Sequence, residues 1–287
     1  MDYHNYDHFY HAISYPDGKH IASFGAIGEE WGEMLGCESM TFVSMDSIWV
    51  LDPNRSQISR WSLSGEKNHS ILEERIDLDS SIGYPTNFQL ADSTFIIPDY
   101  QGENRFILVS KDGIPIHYEG SIPTKKNKKV RSKLALTQAW RSYISYHPEK
   151  DILAMATQLG EVLEIYHLKD STHQVIYGPY KEPEFKTYEN EYIPNGIMGF
   201  LDVQVTDKHI YTVFSGQTFK EMNQAFLQGT EMPPAGGKFI YVFDLKGNPV
   251  RKYILDHYVS GIDVHEDKRI IFATDVNSNE PILQFKF

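Results

Sequence analysis

Cysteine is almost absent from this chain, since Cys37 stands alone among 287 residues. A single cysteine excludes a disulfide bond within the chain and any metal site built from CxxC pairs. The sequence therefore predicts that Cys37 is a small buried side chain, and a reactive thiol is the alternative.

Long apolar runs and a surplus of positive charge are also missing. No stretch approaches the roughly 20 apolar residues of a membrane-spanning helix. The formal net charge is −12, which argues against a nucleic-acid partner because phosphate contacts need a basic face. The first five residues are polar and show no export signal. Taken literally, these features indicate a cytoplasmic protein.

What the chain has is a repeat of short strands, rich in aromatic residues. A polar turn precedes an apolar run five times, and the turn aspartates stand at 46, 92, 151, 207 and 267, so the copies are 46, 59, 56 and 60 residues apart. A second strand of alternating character and a Gly or Asp turn follow, and four of the copies continue into a further strand. Four antiparallel strands at a period near 50 residues are typical of a β-propeller blade.

The chain is predicted to start inside a blade, because residues 10–24 match only the last two strands of the repeat. Met1-Asp2-Tyr3 aligns with the ends of second strands at Asp52, Asp99 and Asp275. We therefore expect one all-β domain over 1–287, a six-bladed propeller of four-stranded antiparallel blades whose first blade is N-terminally incomplete. The expected blades cover about 1–35, 36–80, 81–135, 136–190, 191–256 and 257–287. Met1 would then be an internal methionine or an artificial start of the chain. An export signal or a lipid anchor would lie upstream of it.

Two insertions interrupt the repeat. Residues 120–140 contain the basic run Lys125–Arg131, which is interpreted as a solvated loop, with a patch for an anionic partner as the alternative. Residues 218–227 have apolar side chains near helical spacing and end before Pro233-Pro234. They predict a short helix or an ordered loop between blade strands.

A family resemblance appears in the segment Phe24–Glu33. Its Phe24-Gly25, Gly28-Glu29 and Gly32-Glu33 pairs resemble the FGxxGxGPGE-type segment of TolB-like six-bladed propellers common in Bacteroides-type bacteria, and are more distantly similar to NHL repeats. Where that family often has Gly-Pro, this chain has Glu30-Trp31. The resemblance implies a periplasmic or cell-surface location, which disagrees with the cytoplasmic reading. It implies no particular reaction, because propellers carry many functions.

Function is expected at the mouth of the central channel, where the first strands of the blades begin. Aromatic, amide and arginine side chains there would suit a small polar or anionic ligand. The candidate residues are Tyr84, Asn87, Trp140, Arg141 and Asn195. In the alternative, Trp140 and Tyr84 pack between blades and Arg141 pairs with a carboxylate.

No motif for a catalytic residue or a metal is present, because none of the twelve histidines has HxH or HExxH spacing. His147, His209 and His265 recur near strand turns and are interpreted as surface residues. The sequence therefore favours a non-enzymatic protein that binds a small polar ligand or a protein, without a cofactor. The alternative is a hydrolase or lactonase-like enzyme. By analogy with gluconolactonase-like propellers, it would hold a calcium ion through Asn87, Asn195 and Asp202.

Overall fold

The computed structural model describes residues 7–63, 70–102, 104–125 and 132–287. The chain forms two compact units. The first unit contains Met1–Tyr100 and Asn104–Gly120, and the second contains Gln101–Glu103 and Ser121–Phe287. Two predictions lie outside the described residues, namely the alignment of Met1-Asp2-Tyr3 and most of the basic run.

The first unit contains three sheets in chain order. The first sheet has β1 (His8–Ile13) antiparallel to β2 (His20–Ile27), with the short β3 (Glu33–Met34) parallel to β2. The second sheet is the antiparallel meander β4 (Ser39–Ser44), β5 (Ser47–Asp52), β6 (Gln57–Leu63) and β7 (Ser70–Asp77). After a 3₁₀ turn at Ser80–Ile82, the third is β8 (Gln89–Ala91), β9 (Thr94–Pro98), β10 (Phe106–Val109) and β11 (Pro115–Glu119).

The second unit repeats the same meander. Its first sheet is β12 (Ser142–His147), β13 (Ile152–Thr157), β14 (Val162–His167) and β15 (Thr172–Tyr177), followed by the hairpin β16 (Phe185–Tyr188) and β17 (Glu191–Pro194). The next is β18 (Phe200–Val205), β19 (His209–Phe214), β20 (Gly237–Asp244) and β21 (Pro249–Val259). The last is β22 (Gly261–His265), β23 (Ile270–Thr274) and β24 (Ile282–Lys286).

These sheets confirm the predicted six-bladed β-propeller class. Each predicted apolar run is the second strand of a sheet, and in β5, β9, β13 and β19 both faces of that strand are covered, which accounts for the run of apolar side chains. In β13 all six residues are buried. Three of the turns before these strands use left-handed backbone, which Asp92, Asp151 and Arg269 adopt with φ of 50°, 54° and 54°.

Two helices interrupt the described sheets, and both belong to the second unit. The predicted insertion at 218–227 is confirmed as α2 (Phe219–Gln228), capped by Thr218, whose hydroxyl accepts from Glu221 N. The helix α1 (Lys133–Ala139) was not predicted, nor was the hairpin β16–β17. Within the described ranges, neither helix is long and apolar enough to cross a membrane.

The segment that carries the family resemblance forms a tight loop between β2 and β3. The carboxylate of Glu33 accepts a hydrogen bond from Glu30 N at 2.8 Å. Gly28 has φ of +158°, and a Cβ there would lie 1.9 Å from the Glu33 carboxylate. Glycine at 28 thus leaves the space that the Glu33 carboxylate occupies, and a side chain at 28 would displace that carboxylate.

The recurrent aspartate at the end of the second strand organises the following turn. Asp52, which is 2% exposed, accepts hydrogen bonds from the backbone N–H groups of Leu35, Asn54 and Arg55. Asp275 accepts from Asn277 N in the same way. The two sheets that begin with β12 and β18 have Gln158 and Ser215 at this position instead.

Cys37 corrects one prediction. Its thiol is exposed and free, so the expectation of a buried small residue was wrong. It lies in the irregular segment between β3 and β4, where no strand face covers it. Partial removal from water and the nearby carboxylates of Glu38 and Asp52 raise the pKa of the thiol, which disfavours a reactive thiolate at neutral pH.

Replacement of Asp52 by alanine tests the turn. The Asp52→Ala variant leaves three backbone N–H groups without their acceptor, so we expect a loss of about 2–4 kcal/mol in the free energy of unfolding. Urea unfolding monitored by tryptophan fluorescence measures it. The matched control is Asp46→Ala, because Asp46 is exposed in a turn and its carboxylate accepts from the Ser44 hydroxyl; this variant should lose less than about 1 kcal/mol. Equal losses in the two variants would contradict the role given to Asp52.

Candidate functional site

The residues predicted at the channel mouth are divided between the two units. In the first unit, Tyr84 is 48% exposed and its hydroxyl donates to Asn54 Oδ1 at 3.2 Å. Asn87 is half-buried, and its Oδ1 accepts from Ser39 Oγ at 3.0 Å. Both side chains therefore take part in contacts within their own unit.

In the second unit, Trp140 occupies a core position rather than an open one. It is 1% exposed and packs with Ile122, Leu159 and Val162. This is the packing role that the sequence left open as the alternative. Arg141, the next residue, is half-buried, and Asn195 is exposed with its backbone N–H bonded to Glu184 O.

The first strands of the sheets in the second unit are edge strands, and side chains from the preceding sheet accept hydrogen bonds from free backbone groups of β18 and β22. Ser145 Oγ on β12 accepts from Val205 N on β18 at 3.0 Å. Asp202 Oδ2 and Gln204 Oε1 on β18 accept from Ile262 N and Val264 N on β22, at 2.8 and 2.6 Å. Polar side chains on these strands thus satisfy backbone donors that the sheet leaves unpaired.

Asp202, a candidate metal ligand, has both carboxylate oxygens engaged by the backbone. Oδ1 accepts from Val203 N at 2.8 Å, in addition to the bond from Ile262 N to Oδ2. Burial raises the pKa of Asp202 to about 7, against the opposing effect of the two backbone donors. In the part of the chain that the structure describes, no cluster of three or more His, Cys, Asp or Glu side chains could hold a metal ion.

The raised pKa of Asp202 predicts how stability depends on pH. The folded protein holds this proton up to about pH 7, whereas the unfolded chain releases it near pH 4. Stability from this group is therefore present at low pH and is lost as the pH rises from about 4 to about 7.

The Asp202→Asn variant should lack this loss. Over that pH window, the free energy of unfolding of the natural protein should fall relative to the variant by up to about 1.4 kcal/mol per pH unit. Urea unfolding at closely spaced pH values measures both slopes. Parallel curves for the two proteins would contradict the assigned pKa.

A cleft of about 630 Å³ lies in the second unit. We call it the apolar cleft, and it lies between β14–β15 on one side and β20–β21 on the other. Leu163, Ile176, Phe200 and Tyr241 form much of its wall, while Glu161, Arg251 and Lys252 supply its charged groups. A concave, mainly apolar cavity of this volume with a few polar groups is typical of a small-molecule site.

Glu161 is the buried charged group of the apolar cleft. The residue is 7% exposed, and its Oε2 accepts from Tyr180 N at 3.1 Å. Burial raises the pKa of Glu161, while the Tyr180 N–H bond and the Lys252 cation oppose this shift. Gly178 makes the position possible, because a Cβ at 178 would lie 2.0 Å from the carboxyl carbon.

Stacked aromatic rings support the opposite wall. The rings of Phe214 and Tyr241 stack with centroids 5.0 Å apart. Lys252 Nζ lies 4.0 Å from the centroid of Phe239 and 5.3 Å from that of Tyr241, which is the geometry of a cation–π contact. Burial, followed by the effect of Glu161, raises the pKa of Tyr241 to about 12, so this phenol stays protonated at neutral pH.

The sequence placed none of these residues in a site. Tyr241 and Lys252 lie on predicted strands and are direct partners across β20 and β21, but nothing in the strand pattern distinguishes a cleft wall from an ordinary surface. Glu161 offered one usable signal, since it is an acidic residue directly before the apolar strand β14.

Several solved structures are similar to this chain at low sequence identity. The nidogen/laminin complex matches with a TM-score of 0.52 and 14% identity, over 87% of this chain and 75% of the other. Virginiamycin B lyase from Staphylococcus aureus matches with a TM-score of 0.50 and 12% identity, over 96% and 76%. Sqt1 from Saccharomyces cerevisiae matches with a TM-score of 0.50 and 11% identity, over 96% of this chain and 65% of the other. At these identities the likeness shows the fold alone.

The sequence itself matches a family model more directly. No curated protein sequence matches the chain. The family described as TolB-like 6-blade propeller-like matches residues 1–267, which is most of the chain and includes the Phe24–Glu33 segment on which the resemblance was based. This chain belongs to the TolB-like six-bladed propeller family.

Proposed function

We propose that this propeller is a non-enzymatic binding protein and that its ligand site is the apolar cleft. The observation that carries the proposal is a cavity of about 630 Å³ with apolar walls and few polar groups. Such a cavity removes much of a small molecule from water, and the polar groups then fix its orientation. The channel-mouth residues Tyr84, Asn87, Trp140, Arg141 and Asn195 remain a second predicted site.

The lining of the cleft indicates the chemistry of the ligand. Aromatic and aliphatic walls suit an apolar body, and the exposed Arg251 and Lys252 suit a polar or anionic head. Glu161 and the Tyr241 hydroxyl can bond donors and acceptors inside. The ligand we propose is therefore a small amphipathic molecule rather than a nucleic acid. A protein partner is the alternative for this surface.

A location outside the cytoplasm is part of the proposal. Family membership supports this location. The location was inferred from the resemblance to TolB-like propellers, and that resemblance implies export. The finer likeness to NHL repeats, the origin in a Bacteroides-type bacterium and a lipid anchor upstream of Met1 also remain proposals. Fractionation of cells producing the full-length protein, with periplasmic and cytoplasmic markers, tests the location; recovery with the cytoplasmic marker would overturn it.

Binding of a neutral apolar fluorophore tests the apolar cleft. We expect N-phenyl-1-naphthylamine to bind the natural protein with enhanced emission. Val250 lines the cleft and is 52% exposed, so Val250→Trp narrows the cleft without disturbing the core. Binding should weaken at least about fivefold, or about 1 kcal/mol.

The matched control is Val276→Trp, because Val276 is 63% exposed and lies away from the cleft wall. Its affinity should stay within about twofold of the natural protein. Equal affinities of all three proteins, or no binding by any, would contradict the assignment of the cleft as the ligand site.

The enzymatic alternative is tested by calcium. An ion in the channel at about 100 times its dissociation constant would stabilise the folded protein by about 2.7 kcal/mol. We propose that no cofactor is needed, so millimolar calcium should leave the Tm within about 1 °C of its value in the same concentration of magnesium. A larger, calcium-specific rise that Asp202→Asn abolishes would favour the lactonase-like alternative.

A further inference from the structure

A second, smaller cleft of about 290 Å³ lies on the other side of β20–β21 in the second unit. We call it the basic cleft. It is lined by residues from the start of β19, from β21 and from the turn between β22 and β23. The polar side chains that the argument uses are Lys208, Tyr211, Arg251, Tyr253, Glu266 and Arg269.

Positive charge is concentrated here in a protein whose net charge is −12. Lys208, Arg251 and Arg269 contribute three cationic side chains to the lining, and Glu266 contributes the only carboxylate side chain among the described lining residues. A concave cluster of one sign focuses the local potential, even where the whole molecule has the opposite sign.

The carboxylate of Glu266 is hydrogen-bonded within the wall of the basic cleft. Its Oε1 accepts from the Tyr211 hydroxyl at 3.0 Å and is bonded to His209 Nδ1 at 2.6 Å. Burial by itself would raise the pKa of Glu266, but hydrogen bonds with His209, Thr206 and Tyr211 lower it. The carboxylate of Glu266 therefore stays ionised within the wall, and the three cationic side chains of the lining outnumber it.

Arg251 has a positioned guanidinium group, and Arg269 has an anchored backbone. Arg251 Nη1 donates to the Tyr253 hydroxyl at 2.9 Å, so the guanidinium is positioned with other N–H donors left over. Arg269 has φ of 54°. Its backbone N–H bonds to Glu266 O at 3.0 Å, and its carbonyl accepts from Phe287 N at 3.2 Å. Both arginines thus project from anchored backbone.

Lys208 is the adaptable member of the cluster. Its Nζ lies 3.5 Å from Asp267 Oδ1, and both side chains are largely exposed. Exposed pairs of this kind contribute little free energy, so the ammonium group can exchange Asp267 for a better anion at low cost.

We propose that the basic cleft is a binding site for a compact oxyanion, specifically a phosphate group carried by a small molecule. Planar guanidinium groups match the geometry of a phosphate and bind it through paired N–H donors. A lysine ammonium adds a further donor that needs no fixed direction. The basic cleft and the apolar cleft open on different sides of β20–β21, although Val242, Val250 and Arg251 line both.

Titration with inorganic phosphate at low, constant ionic strength tests the proposal, with calorimetry as the readout. The natural protein should bind one equivalent. Arg269→Gln and Lys208→Gln should each weaken binding about tenfold, the effect expected for one charge-assisted hydrogen bond. The matched control is Lys268→Gln, because Lys268 is exposed in the same turn but does not line the basic cleft; it should change the affinity less than about twofold.

Three results would overturn the site. The first is that the natural protein does not bind phosphate. The second is an equal loss of phosphate affinity in all three variants, which would indicate diffuse attraction to surface charge. The third is binding to vesicles of phosphatidylglycerol and phosphatidylcholine without binding to free phosphate, which would indicate a membrane surface. If the Tm values of the variants are unchanged, a loss of phosphate affinity cannot be explained by a loss of folded protein. N-phenyl-1-naphthylamine binding should be the same in all of these proteins, so this test and that of the apolar cleft can fail separately.

Discussion

The hydrogen bonds that cover the first strands are the constraint on which the sheets of the second unit depend. A first strand has a neighbour on one side only, so its other edge presents backbone N–H groups without sheet partners. Ser145, Asp202 and Gln204 supply acceptors to the next sheet. Each sheet is thereby tied to its successor by directional bonds, in addition to the apolar contacts of the second strands.

The same hydrogen bonds distinguish polar side chains with a structural role from those that can bind a ligand. Asp202 has a raised pKa and would attract attention as a catalytic group, yet its oxygens are occupied by backbone donors. The two clefts lie instead along β20 and β21, the third and fourth strands of one sheet. Side chains there do not have to accept hydrogen bonds from the edge of the next sheet. One sheet therefore presents an apolar cleft on one side and a basic cleft on the other, with Arg251 at the border.

Local sequence signals predicted the elements well, because each signal acts over a few residues. Apolar runs after polar turns located the second strands, and apolar side chains near helical spacing located α2. The misses have physical reasons. Helix α1 has only seven residues, too few for a helical period to show, and the hairpin β16–β17 is mostly exposed, so apolar alternation does not mark it. Exposure of Cys37 depends on whether other segments cover its loop.

By itself, the sequence determined the repeat, the propeller class and the turn chemistry, because strand periodicity and left-handed turn residues are local properties. Only the tertiary structure decided which side chains meet. Glu161 and Lys252 are separated by 91 positions (252 − 161), and Lys208 and Arg269 by 61 (269 − 208). Their proximity follows from the packing of adjacent sheets and not from any spacing along the chain. A strand pattern tells which face of a sheet is buried, whereas a cleft exists only where two sheets leave space between them.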